Sequence, residues 1–125
     1  MVVLICGKPK SGKTTYGKYL CRKVGSAIHL DSDELRKIFD YDDFSENGRK
    51  EWMLRMADLA SLLEKQGFIP IISMVAPYRN TRKEMVKKFE KHILIYMKGS
   101  DRYMWKGSMF EEPQDDENPV VKSLK

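Results

Sequence analysis

The sequence predicts an α/β fold in three layers, a parallel sheet with helices on both faces. Three observations carry that expectation. Apolar runs of four to seven residues alternate with segments of helical periodicity, the pattern of parallel strands joined by helical crossovers. Runs such as 2–6 and 93–97 are apolar throughout, as strands buried on both faces read. The first run leads straight into a glycine-rich loop, GKPKSGKT at 7–14.

In order along the chain, residues 2–6 read as a buried strand and Thr14 to Val24 as a helix with Tyr16, Leu20 and Val24 on one face. Ala27 to Leu30 is a second short strand. Asp31-Ser32-Asp33 supplies N-cap chemistry for a helix through Phe39. The acidic segment 40–48 reads as loop. A long helix is expected from Arg49 to Gln66, with Trp52, Met53, Met56, Leu59, Ala60 and Leu63 as its stripe and Gly67 at its C-terminal cap. Phe68 to Met74 is a third strand, with Pro70 placed near its start because proline cannot donate to a ladder. Thr81-x-x-Glu84 reads as a capping box for a helix to Lys91. Ile93 to Met97 is a fourth strand. Residues 99–118 are polar and acidic, with isolated Tyr103, Trp105 and Phe110, and 119–124 is a short fifth strand.

At 125 residues and 42% hydrophobic content, the chain suits a single domain over 1–125 and excludes a disordered one. The net charge of +5 conceals blocks. Residues 1–25 hold six bases and no acid, 31–46 seven acids and two bases, 79–106 nine bases and three acids, and 111–117 are acidic again. Such blocks point to an anionic ligand between basic segments, with acids nearby for a metal or a proton. No run of five bases occurs, so a nucleic-acid partner is not expected. Cys6 and Cys21 read as reduced, small hydrophobes, and no Cys/His spacing suggests zinc. The N-terminus lacks a basic leader, and its apolar run is too short for a signal or a membrane span. A soluble cytoplasmic protein is the expectation.

The loop Gly7-Lys8-Pro9-Lys10-Ser11-Gly12-Lys13-Thr14 matches G-x-x-x-x-G-K-[ST] in full, followed by Thr15. On average residue usage a chance match in such a chain has odds of roughly one in a few hundred, and the strand before and helix after are the context the motif requires. Glycines let successive N–H groups turn inward on phosphate oxygens, and the helix N-terminus adds positive potential. Lys13 would bridge the terminal phosphates of ATP, and the Thr14 hydroxyl would ligate Mg²⁺. This predicts a P-loop kinase fold, with the three-layer α/β sheet in strand order 2-3-1-4-5. The strand ending at Ser73 brings no carboxylate. The acids follow the second strand instead, at Asp31 and Asp33, a placement that suits a small-molecule kinase in which a carboxylate orients or deprotonates the acceptor hydroxyl.

LDSDELRK at 30–37, FSENGRKEWMLRMADLASLLEKQGFIPIIS at 44–73 and APYRNTR at 76–82 resemble the adenylylsulfate (APS) kinases. That family carries a P-loop ending GSGKTT, then LDGDN-LR, then F-S---R--N-RR-AE-A-L----G, then S-ISP-R--R. Order and spacing agree across residues 2–82, and more faintly to FEEP at 110–113, which resembles YE-P. The resemblance implies that Asp31 and Asp33 lie by the transferred phosphate and Mg²⁺, with Asp31 joining Thr14 at the metal. It implies that Arg36 and Arg49 contact a phosphosulfate and that Phe44 stacks on an adenine. Ser73 matches a serine sometimes considered a phosphoryl carrier, although direct in-line transfer needs none. Pro77 and Tyr78 would line the same pocket. A homodimer is also implied.

The sequence departs from the pattern at Trp52, which replaces the Asn that helps hold the sulfonucleotide, and at Leu54, which replaces the first Arg of the pair. The lid, RD-KGLY-KA in the family, is reduced within about 98–118 to something like DRYMWKGSMF, and the last helix is missing. The expected activity is phosphorylation of the 3′-hydroxyl of APS by ATP, giving 3′-phosphoadenylylsulfate (PAPS). The alternatives are a kinase for another acceptor, such as a cytidine diphosphoramidate-like nucleotide or a nucleic-acid hydroxyl, and a nucleotide-binding module without turnover.

Overall fold

A computed structural model describes residues 1–104 and 109–123, apart from the side chain of Asp101. The readings of Trp105 and of the rest of 105–108 lie outside the described residues. The elements are β1 (Val2–Gly7), α1 (Lys13–Lys23), β2 (Ala27–Asp31), α2 (Ser32–Ile38), α3 (Glu46–Lys65), β3 (Ile69–Ser73), α4 (Arg79–Val86), β4 (His92–Met97) and β5 (Val120–Lys122). All strand pairs are parallel, in the order β2-β3-β1-β4-β5, as expected. Pro70 sits opposite Ile28 of β2, one residue before the ladder from β3 to β1 begins at Ile71. Its missing N–H therefore breaks no bond to β1.

The two-residue period of the strands divides the core into two layers. Val2, Leu4, Cys6, Ile72, Leu94 and Tyr96 face Trp52, Met53 and Met56 of α3 and Met85 of α4. Val3, Ile5, Ile71, Ile95 and Met97 turn the other way, against Tyr16, Leu20 and Cys21 of α1. Cys21 thus takes the place expected of Val24, which caps α1. Burial pushes the Cys6 thiol up to about 12, so it behaves as a small hydrophobe.

The starts of α3 and α4 differ from expectation, each because of a cap. α3 starts at Glu46 rather than Arg49, since the Ser45 hydroxyl accepts the Gly48 N–H at 3.1 Å. It ends as expected at Gly67, whose φ of +95° allows the bonds Gly67 N–H to Glu64 O and Phe68 N–H to Leu63 O that close a Schellman motif. α4 starts at Arg79, so Thr81 is a buried helical residue and not a cap. The cap comes from far away: the Arg79 N–H donates to Glu111 Oε1 at 2.7 Å. α4 also stops at Val86, short of Lys91.

The C-terminal segment is anchored by one buried cation. Arg82 is 1% exposed. Its Nε donates to Glu117 Oε1 at 2.9 Å, Nη1 to Ala76 O at 2.7 Å and Nη2 to Glu111 O at 2.7 Å. Nearby, Arg79 and Lys83 both donate to Asp116 Oδ2 and hold its carboxyl well below the usual range. The start of the basic block at 79–106 is therefore met by the acidic block at 111–117, which corrects the expectation that these bases face an anionic ligand. Phe110 stacks on Tyr96, and the Tyr96 hydroxyl donates to Glu112 Oε1 at 3.1 Å.

Replacing Arg82 by Met strips the Glu117 carboxylate of its close ion pair, leaving it only the Gln114 N–H at 3.1 Å and Arg79 Nε at 3.7 Å. Urea denaturation should show a loss of about 3–5 kcal/mol, while Arg79→Ala at the solvent edge should cost no more than about 1 kcal/mol.

Candidate functional site

Gly7 ends β1 where no side chain fits: a Cβ there would lie 2.5 Å from Met97 O and 2.8 Å from Ser11 Oγ. The chain then curls through left-handed backbone at Lys10 (φ 61°) and Gly12 (φ 100°), an arrangement that turns N–H groups into a concavity. Gly12 is the N-cap of α1 and offers no side-chain acceptor, and the first turn holds no acid. The open N–H groups and positive end of α1 are thus available to an anion. Among the described residues the buried Ser11 hydroxyl has no hydrogen-bond partner. Lys13 reaches back over the loop and donates from Nζ to Lys8 O at 2.8 Å. Burial lowers its pKa to about 8, and the carboxylates of Asp33 and Asp31 offset only part of that effect.

The second strand brings the acids to the same place. Thr14 Oγ1 donates to Asp31 Oδ1 at 2.7 Å, while Asp31 Oδ2 accepts the Glu34 N–H as the cap of α2. Capping and site roles therefore coexist at Asp31. Asp33 is exposed and accepts no hydrogen bond among the described residues, close enough to Lys13 to raise its pKa. No group of three or more His, Cys, Asp or Glu among the described residues could hold a metal by itself. A hydroxyl and a carboxylate fit Mg²⁺ nonetheless, because that ion keeps most of its ligands as water and substrate phosphate.

Ser73, 2% exposed at the end of β3, is fully engaged. Its hydroxyl donates to Lys13 O at 3.1 Å and lies 2.8 Å from His29 Nε2. Its one proton goes to Lys13, so His29 Nε2 is the donor of the second bond. Nothing near His29 in the sequence announces a partner for it. The structure makes it the link between β2, β3 and the first turn of α1. Gly17 permits this, since a Cβ there would come within 2.5 Å of His29 Nε2.

These groups open onto one cavity of about 720 Å³. From the loop, Pro9, Lys10 and residues 12–15 line it. Asp31 and Asp33 stand in the middle with Ser73 and Pro77, and Arg36, Phe44, Arg49 and Trp52 form the far wall. Gly7, Lys8 and Ser11 do not line the cavity. Tyr78 is the N-cap of α4, with the Lys50 ammonium 5.2 Å from its ring, and does not line the cavity. Phe44 is 55% exposed and carries the Arg36 guanidinium at 4.2 Å and that of Arg49 at 5.2 Å. Arg36 also donates to the carbonyls of Tyr41 and Asp43, and Arg49 Nε to Phe44 O at 2.8 Å. Burial and then the neighbouring Arg49 lower the Arg36 pKa, the effect of two cations held side by side. Sequence reasoning missed Ser32, whose hydroxyl accepts from Trp52 Nε1 at 2.9 Å.

The model of the family described as Adenylylsulphate kinase matches residues 1–105. The chain belongs to the adenylylsulfate kinase family. It is 35% identical over 102 residues to a probable adenylyl-sulfate kinase of Archaeoglobus fulgidus, covering 76% of this chain and 64% of that one. It is 29% identical over 100 residues to a cytidine diphosphoramidate kinase of Campylobacter jejuni, covering 77% and 59%. The chain thus spans less than two thirds of the length of these curated relatives. A solved structure of Mycobacterium tuberculosis APS kinase has a TM-score of 0.70 over 96% of this chain and 84% of that one, at 21% identity. At that identity the likeness shows the shared P-loop kinase fold. No described helix is long and apolar enough to cross a membrane.

The lowered pKa of Lys13 sets a pH window. The ammonium is charged below about 8 and neutral above it, so affinity for a nucleoside triphosphate should fall as pH rises through that value. Losing one charged hydrogen bond is worth about 1.5–3 kcal/mol, or roughly ten- to hundredfold in Kd. Calorimetric titration of a non-hydrolysable ATP analogue from pH 7 to 9.5 should show this decline, and Lys13→Met should flatten it.

Proposed function

We propose that this chain is an ATP- and Mg²⁺-dependent phosphotransferase for a nucleotide hydroxyl, with the 3′-hydroxyl of APS, whose phosphorylation gives PAPS, as the first acceptor to test. The observation that carries the reading is the bond of Thr14 to Asp31, beside Lys13 and Asp33, in a cavity whose far wall holds two arginines. The phosphate loop and Lys13 hold the donor triphosphate. Thr14 and Asp31 hold Mg²⁺, which when bound neutralises charge on the phosphate oxygens. Both Asp31 oxygens are engaged by Thr14 and Glu34. That leaves Asp33 to orient the acceptor hydroxyl and take its proton. Arg36 and Arg49 hold the acceptor's anionic group, and the exposed Phe44 ring offers a stacking surface to its base.

Ser73 is not a phosphoryl carrier in this reading. Its hydroxyl is buried, donates to the loop backbone and accepts from His29, so phosphorylation would break the support of Lys13. Asp33→Asn should lower kcat by about 10²–10⁴-fold with little change in ATP affinity, whereas Ser73→Ala should still transfer phosphate.

A second reading keeps the machinery and changes the acceptor. The cytidine diphosphoramidate kinase relative favours it, as does an indole at Trp52 that has no hydrogen bond to spare for a sulfonucleotide. ADP release with Mg-ATP, with and without APS, separates the two. Release that depends strongly on APS would support the first reading, and equal slow release in both would point to another acceptor. Transfer to any acceptor rules out a binding module without turnover.

A further inference from the structure

Beyond the turn at Asp31 and Asp33, on the side away from the phosphate loop, the cavity wall is built by α2, α3 and the segment between them. That is where an acceptor must lie if the loop holds the donor. Trp52 of α3 is part of this wall and is only 3% exposed. Its single polar atom, Nε1, donates to Ser32 Oγ. One face of the indole stacks on Tyr41 at 4.9 Å, and Phe39 meets it edge-on at 6.3 Å. Tyr41 is itself tied by its hydroxyl to Gly48 O at 2.9 Å. To swing aside, the indole would have to break a buried hydrogen bond and leave two rings. It is a fixed part of the wall and offers a ligand only carbon.

Two departures from the family pattern meet in this bond. Trp52 stands where the pattern has Asn, and Ser32 stands where LDGDN has Gly. The structure puts them 2.9 Å apart. A glycine at 32 could not accept from the indole, and an asparagine at 52 would leave space where the indole now sits. The remaining volume is narrowed further by the Arg36 guanidinium, 4.2 Å over Phe44 and 5.3 Å from the rings of Tyr41 and Trp52.

We propose that Trp52, locked by Ser32, determines acceptor specificity and admits a nucleotide with a single-ring base in preference to a purine. The proposal rests on the phosphotransferase reading above and deepens it. Discrimination here is by shape, because the wall has no free polar group at Trp52 to read the edge of a base.

The test uses adenosine 5′-phosphosulfate and cytidine 5′-phosphosulfate, which differ only in the base. Phosphate transfer from Mg-ATP and equilibrium affinity are measured for the wild type, Trp52→Asn, Trp52→Phe and Ser32→Gly. The wild type should favour the cytidine compound by at least tenfold in kcat/KM. Trp52→Asn should shift the ratio at least tenfold toward adenosine through a lower KM for that compound. Trp52→Phe and Ser32→Gly, which keep an aromatic ring but free it, should shift the ratio less and in the same direction. Equal or better use of the adenosine compound by the wild type overturns this proposal and leaves the kinase reading standing. So does a ratio that none of the three variants moves. Transfer to neither compound by any of the proteins, with ATP binding intact, overturns both.

Discussion

A guanidinium shut inside the protein fixes where the last part of the chain lies. Arg82 on α4 cannot reach water, so its donors must be met from within. Ala76 supplies one carbonyl from the turn after β3, Glu111 supplies another, and Glu117 supplies the charge. Since two of these three lie in the segment after β4, that segment has to fold back over α4. Burying an ion pair of this kind adds little net stability over apolar packing. What it contributes is position: it selects one path for a polar stretch that has few apolar residues to direct it. That path returns the chain to the sheet edge, where β5 pairs with β4.

The site depends on a different constraint, the parallel order of the sheet. With β1 central and β3 and β4 on either side, the ends of β1, β2 and β3 open together. The groups that converge there come from residues far apart in sequence. Thr14 meets Asp31, Ser73 meets both His29 and the backbone of Lys13, and Trp52 meets Ser32. Each of these contacts fastens one crossover to another, so the phosphate loop is braced by its neighbours and not by its own residues alone. Ligand sites at the carboxyl ends of strands are the general outcome of this architecture. Here the bracing also explains the hydroxyl of Ser73. A group that holds the first turn of α1 in place is poorly suited to leave it and carry a phosphate.

Much of this was legible in the sequence. The fully apolar strands, the loop from Gly7 to Thr14, the acids at Asp31 and Asp33 and the stripe of α3 all rest on local rules. Those rules are side-chain periodicity, the need for glycine at tight backbone and the capping chemistry of short polar residues. Those signals led to a parallel sheet with the phosphate loop at the end of its first strand, and the strand order came with the P-loop kinase fold that the loop motif implies.

What only the tertiary structure decided depends on partners brought together by folding. The start of α4 was misread because its cap is Glu111, 32 residues away, and no local motif announces it. The basic and acidic blocks looked like a ligand site because their mutual distance was unknown; folded, the first part of the basic block is largely neutralised by the acids that follow. His29 seemed to lack a partner because Ser73 lies 44 residues on. Trp52 read as core and, from the resemblance, as a pocket residue; that Ser32 holds its indole in place was visible only in the fold. Local propensity determines what an element is. Which of its side chains end up facing one another is set by how the elements pack.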